Sequence, residues 1–369
     1  MKKSLSIKVL TALCLTTILW SCRKAKGVTP EEQTQLPGQG ITAVNGLYVL
    51  NEGNWGSNKA SIDYYDYATG VYRKNIYGQA NPSATLGLGD VGNDIKIYGS
   101  KLYVVVNGSG KLEILDVKTA KKLAQVDISN CRYLTFYKNK AYVTAYEGFV
   151  AVVDTATYKL DAKITVGREP EEMAVVGDRL YVANSGGYTS SNYERTLSVV
   201  DLATNKEIKR IDVAINLHRV KADQYGDLYV TSRGNYGDIK SNLYVVDTKT
   251  EAVKKKFDIE ASNFAIDKDF AYIISTAWSN ATMSNVISYS KINVKDETII
   301  PGGFISDGTD KEIVMPYGIA VDPISSGVYI TDAKDYVTPG TLYSIDKNGK
   351  KKFSVSTGDI PAHLVFYTK

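Results

Sequence analysis

Leu180-Tyr181-Val182-Ala183-Asn184, followed after a Gly- and Ser-rich interval by Leu197-Ser198-Val199-Val200-Asp201, is one unit of a pattern that runs along most of the chain. The first half returns as Leu47-Tyr48-Val49, Leu102-Tyr103-Val104, Ala141-Tyr142-Val143, Leu228-Tyr229-Val230, Ala271-Tyr272-Ile273 and Val328-Tyr329-Ile330. The seven tyrosines are spaced by about 47 residues on average, within the span of propeller repeats. The second half returns as Ile114-Leu115-Asp116, Val152-Val153-Asp154, Val245-Val246-Asp247 and Ser344-Ile345-Asp346, with weaker copies at Tyr65-Asp66 and Ile292-Asn293.

Short β-branched and aromatic runs separated by turn residues are strands. Each unit holds about four of them, and a sheet of that size cannot bury both faces alone. Radial stacking buries the faces and leaves only short edges. The expectation is an all-β fold, a seven-bladed β-propeller over residues 41–369; a six- or eight-bladed ring or a β-sandwich array does not match seven units. Most of the 27 tyrosines then serve as packing between blades. The tail Pro361-Ala362-His363-Leu364-Val365-Phe366-Tyr367 resembles the first strand of a blade, which the N-terminal unit lacks ahead of Leu47. The C-terminal strand is therefore expected to complete the first blade and close the ring.

The chain starts with Lys2-Lys3 and an apolar run from Val9 to Trp20. That run is too short to span a bilayer, which needs roughly 20 residues, and has the layout of an export signal over residues 1–21. Ile18-Leu19-Trp20-Ser21-Cys22 resembles a bacterial lipobox, which implies cleavage before Cys22 and lipidation of its thiol. A plain cleaved leader with an incidental cysteine is the alternative. Acyl chains anchor by about 0.8 kcal/mol per buried methylene. The polar, Pro- and Gln-containing residues 22–40 read as a flexible tether. Arg23-Lys24-Ala25-Lys26 is basic where the surface-export tag of gut Bacteroidetes lipoproteins is acidic. Losing Lys2, Lys3 and Lys8 with the leader takes the 44 basic residues to 41, against 40 acidic ones. A near-neutral balance argues against a nucleic-acid partner. Cys14 leaves with the leader and Cys22 takes lipid, so Cys131 has no disulfide partner.

In a propeller, the loops joining second to third strands and those entering the inner strand open on one face. The former are rich in Gly, Asn and Ser, and several exceed what a turn needs. They carry Trp55, Tyr146, Tyr188, Tyr236, Trp278 and Tyr336, aromatics that resemble paratope chemistry. Capping of blade ends is the bland alternative for any one of them. On the inner strands, the residues just ahead of the apolar ones are Asp94, Tyr133, Glu172, Arg219, Asn263, Gly318 and His363. Strict alternation sends them to the face opposite the apolar residues, giving a mixed polar ring at the channel mouth. Such a ring suits an irregular polar ligand, or else it only bonds neighbouring loops and water. Arg132, Arg233, His218 and Tyr317 adjoin it and complete the candidate ligand-binding set.

No zinc spacing, Gly-x-Ser-x-Gly elbow or phosphate-binding loop occurs, so no catalytic residue, metal or cofactor is assigned. Rim acids with His363 leave a propeller hydrolase or lyase as the alternative.

The units around Gly186-Gly187, Leu180–Asn184 and Leu197–Thr204 resemble the YncE-type propeller family. With the lipobox and Asn51-Glu52-Gly53-Asn54-Trp55, the chain resembles a Bacteroides group of cobalamin-binding surface lipoproteins within it. That resemblance implies a lipid-anchored outer-membrane protein, at the cell surface, that captures cobalamin and other corrinoids and passes them to a TonB-dependent transporter. The corrin would pack on Trp55, Tyr236 and Trp278, and Asn263, Arg132, Arg219 and Arg233 would bond its amides and phosphate. A glycan-binding protein or a protein-binding scaffold beside a transporter is the other reading of the same face.

Overall fold

The computed structural model describes residues 32–40, 42–279 and 282–369. The leader and Cys22 lie outside the described residues. Seven antiparallel sheets form a closed ring, blade after blade in chain order. The inner strands are Gly92–Tyr98, Cys131–Tyr137, Pro170–Val176, Leu217–Ala222, Asn263–Asp267 and Pro316–Val321 for blades 2 to 7. Blade 1 takes its inner strand, Pro361–Thr368, from the C-terminus, where it pairs antiparallel with Val44–Asn51. Among the described residues the helical elements are the short helix Ile76–Ala80 and a 3-10 turn at Thr309–Lys311.

Alternation explains the core. In each second and third strand, Val, Leu, Ile and Tyr point into one or the other inter-blade layer, so both faces of every sheet are apolar. Each such side chain contributes about 1.5–3 kcal/mol when fully buried. The repeated tyrosines are buried and reach across to the next blade. Tyr48 donates to the carbonyl of Val117, and Tyr229 donates to that of Val294 at 3.3 Å. Tyr329 meets Tyr67 of blade 1 at 2.8 Å. The acidic residue that ends most third strands holds the next turn: Asp116, Asp154 and Asp201 each accept from the backbone N–H and the hydroxyl of the threonine three residues on. This is an Asx-type turn, and it sets the strand pairing that follows.

Two expectations change. Gln33–Gln35 adds a fifth, outermost strand to blade 1 by pairing with Val71–Arg73, and Leu36 is buried among Tyr65, Tyr67 and Tyr72. The propeller body thus begins before residue 41, not after a tether that runs to residue 40. In blade 6, the interval expected as a loop is mostly strand. Phe270–Ser279 and Ser284–Asn293 pair as far as Ser279 with Ser284, because Thr276, Val286 and Ile287 continue the β pattern.

Closure is tight where the last strand meets blade 7. A Cβ on Gly318 would sit 2.3 Å from the Ala362 carbonyl and 2.7 Å from Thr331 Oγ1. Gly318→Ala is expected to destabilise the protein by more than about 2 kcal/mol, read as a lower urea midpoint with an unchanged slope.

Candidate functional site

The inner strands do not alternate strictly at their N-terminal ends. In six of the seven, one extra residue enters the ladder. Arg132-Tyr133 lie opposite Thr144 alone, Glu171-Glu172 opposite Ala183, His218-Arg219 opposite Thr231 and Tyr317-Gly318 opposite Thr331. Blades 1 and 2 have the same bulge at Ala362 and Asn93, and blade 6 is regular. A bulge re-aims side chains. Two consecutive residues of each bulged blade therefore serve the channel mouth, where alternation alone predicts one.

The freed backbone groups are satisfied in a two-blade rhythm. In blades 3, 5 and 7 a threonine hydroxyl accepts from the bulged strand: Thr144 from Tyr133 N at 3.0 Å, Thr231 from Arg219 N at 2.9 Å and Thr331 from Gly318 N at 2.8 Å. In blades 2, 4 and 6 the ring residue reaches into the following blade. Asp94 accepts from Leu134 N at 2.9 Å, Glu172 accepts from Val220 N at 3.0 Å, and Asn263 donates to the Tyr317 carbonyl at 3.0 Å. Glu172 also accepts from Lys221 at 2.9 Å. Burial raises the Glu172 carboxyl, but Lys221, Arg219 and Lys96 outweigh it and hold it down at about 2. Asp94, Glu172 and Asn263 are thus bound into the ring itself.

Above this row lies an ionic hub around Glu171, a residue that is fully buried and absent from the expected site. Arg132 approaches one carboxylate oxygen through Nε and Nη2, both at 3.1 Å, and Arg233 reaches the other at 2.8 Å. The Tyr146 hydroxyl donates to the same carboxylate. Burial alone would raise the Glu171 carboxyl; the two guanidiniums and the phenol keep it below the usual range. Arg132 also lies 4.6 Å from the Tyr146 ring centroid and donates to Asn93 at 2.5 Å. Tyr188 packs edge-on against Tyr146 at 5.0 Å. Arg132 and Arg233 are therefore committed to Glu171 as much as to any ligand. Glu171 was legible in principle: it occupies the repeat position of Arg132, His218 and Tyr317, one residue ahead of the row considered.

Tyr133 lies across the channel. Its hydroxyl is 2.9 Å from His218 Nε2 of blade 5, and its ring meets that of His363 in blade 1 at 6.0 Å. Arg219 lies over its face at 5.0 Å. Burial, then Arg233, Arg219 and Arg132, drive the His218 pKa well below its ordinary value, so the ring is neutral. Burial pushes the Tyr133 phenol up to about 12, so the phenol keeps its proton beside the neutral imidazole. His363 stands 3.6 Å from Glu52, which accepts from Tyr317 at 3.0 Å, and Tyr317 packs on Tyr336.

Outside this polar mouth the loop aromatics face solvent. Trp55 is 69% exposed, Tyr188 69%, Tyr236 75%, Trp278 52% and Tyr336 36%. They come from blades 1, 4, 5, 6 and 7, all on loops or hairpin ends joining second to third strands, and hence on one face. Among the described residues, no group of three or more His, Cys, Asp or Glu side chains could hold a metal ion.

These features define a seven-bladed propeller with a polar, arginine-rich mouth ringed by exposed aromatics. The chain belongs to the family described as Domain of unknown function (DUF5074), whose model matches residues 45–367. No curated protein matches it. Among solved structures it is similar to a quinoprotein alcohol dehydrogenase-like protein from Bacteroides thetaiotaomicron, at 16% identity and TM-score 0.62 over 88% of this chain and 79% of that one. It is also similar to hydrazine synthase of Kuenenia stuttgartiensis, at 17% identity and TM-score 0.59 over 70% and 77%. The WD40 domain of Neurospora crassa Pan2 matches at 10% identity and TM-score 0.53 over 75% and 81%. At these identities the likeness is one of fold.

Two outcomes follow from the mouth. Glu171→Gln leaves Arg132 and Arg233 facing a neutral amide in a buried site, and should cost about 3–5 kcal/mol in urea unfolding. His218 takes up a proton in the unfolded chain at its ordinary pKa of 6.5 but resists it when folded. Its stabilisation is complete above that pH and falls on acidification, by up to about 1.4 kcal/mol per pH unit. His218→Gln should flatten the stability profile between about pH 6.5 and 5, above the range where ordinary carboxylates titrate.

Proposed function

We propose that this protein is a binding propeller that captures a broad, amphipathic ligand on its aromatic-rimmed face, with a corrinoid such as cobalamin as the ligand. In this reading it is a lipoprotein held through Cys22 at the outer membrane, on the cell surface, that delivers its ligand to a TonB-dependent transporter. The observation that carries the reading is the set of five exposed aromatics, on five separate blades, around a mouth dense in arginine, tyrosine and histidine. A corrin has an apolar ring edge that can pack on Trp55, Tyr236 and Trp278. Its peripheral amides can bond polar rim groups, and its phosphate suits a guanidinium. The resemblance to BtuG-type cobalamin-binding lipoproteins supports the same ligand. A rim pre-organised by the Glu171 hub keeps the ordering cost of binding low. The function proposed is capture without turnover, with no catalytic group, metal or cofactor of its own.

Calorimetric titration of the purified protein with cyanocobalamin tests this. One-to-one binding, with cobinamide competing, is the expected result. Replacing Trp55, Tyr236 and Trp278 together by Ala should weaken binding at least about tenfold with no change in the unfolding midpoint, since these side chains are exposed. No heat and no competition would remove corrinoids as the ligand and direct the search to glycans.

A further inference from the structure

Between the inner strands the channel holds an open cavity of about 320 Å³ whose wall includes Arg219, the residue lying over Tyr133. Its wall carries three cations, Lys96, Lys221 and Arg219, and two acids, Asp94 and Glu172. Both acids are already engaged by protein donors at each oxygen. Asp94 accepts from the backbone of Ile95 and Leu134, and Glu172 from the backbone of Val220 and from Lys221. Lys96 donates to the Leu134 carbonyl and lies 3.6 Å from Asp94. Arg219 is different. It is only 7% exposed, its Nε has no hydrogen-bond partner, and among the described residues no carboxylate is within ion-pair distance of it. Its guanidinium lies over the face of Tyr133, and Glu172 acts on it only from beyond ion-pair distance.

A buried guanidinium without an acceptor is costly, and the general remedy is a counter-ion. The cavity has one positive charge in excess, a planar fork of N–H donors, and further donors on Lys96 and Lys221. Its volume exceeds the roughly 30 Å³ share of one water about tenfold, so a polyatomic ion fits. From this we propose that the channel cavity at Arg219 is a binding site for a small oxyanion (phosphate, sulfate or a short carboxylate), held by Arg219. The site shares Asp94, Glu172, Arg219, Asn263 and His363 with the row at the channel mouth but none of the exposed loop aromatics, and the proposal does not rest on the corrinoid reading.

The test is a titration of the purified full chain with sodium phosphate, sodium sulfate and sodium acetate at constant ionic strength balanced by chloride, following the unfolding midpoint. A saturable rise of a few degrees with at least one oxyanion is expected, and Arg219→Met should abolish it. Loss of the buried charge should also leave R219M at least as stable as the parent in chloride alone. A crystal of the unaltered protein grown in selenate gives an answer that needs no variant: an anomalous selenium peak against the Arg219 guanidinium is expected. The proposal is overturned if no oxyanion shifts the midpoint beyond chloride, if R219M responds like the parent, or if selenate binds only elsewhere.

Discussion

The last strand, Pro361–Thr368, hydrogen-bonds along Val44–Asn51 and so ties the two ends of the folded body into one sheet. Each blade is a small sheet with apolar side chains on both faces, and each face is covered only by the next blade. A ring with one pair left open would expose two such faces to water. The closed ring, with no blade face left to water, therefore depends on this pairing, and so does the placement of the inner strand of blade 1 at the channel. Gly318 shows how little tolerance the joint has, since the Ala362 carbonyl occupies the space a side chain would need.

The mouth is held in a second way. Blades 2, 4 and 6 send Asp94, Glu172 and Asn263 into the blade that follows, and blades 3, 5 and 7 supply the threonines that cap their own bulges. Seven is odd, so this pairing leaves blade 1 over, and blade 1 brings His363. The mouth cannot repeat itself around the axis. Its chemistry differs from one side to the other, with Glu171 and its arginines over blades 3 to 5 and Glu52, Tyr317 and His363 over blades 7 and 1. An asymmetric ligand is what such a surface can orient.

The blade count, the closing strand and the face bearing Trp55, Tyr236 and Trp278 were legible because they follow from a repeat and from turn composition. So was the row of polar residues from Asp94 to His363. What those residues do was not legible. Alternation is a property of regular strands, and the bulges that seat Arg132 beside Tyr133 and Glu171 beside Glu172 depend on how seven strands converge. Glu171 and Glu172 are neighbours of identical chemistry. One anchors two arginines and the other a backbone amide and a lysine, and only the three-dimensional ladder separates these roles. The strand at Gln33–Gln35 escaped notice for a related reason, since a polar edge strand with one anchoring leucine has the composition of a linker.

Tyr133 touches both compartments of the channel. Its hydroxyl and ring edge belong to the mouth, through His218 and His363, and its face lies against Arg219, which lines the cavity. Were both proposed sites to be filled, a side chain shared in this way would link their occupancies thermodynamically. Any ligand that shifts Tyr133 changes the surroundings of the guanidinium, and any ion that neutralises the guanidinium changes what holds Tyr133. The coupling free energy is the same read in either direction. If the outer face binds the proposed ligand and the cavity the proposed ion, the ionic content of the medium becomes a variable in how firmly that ligand is held.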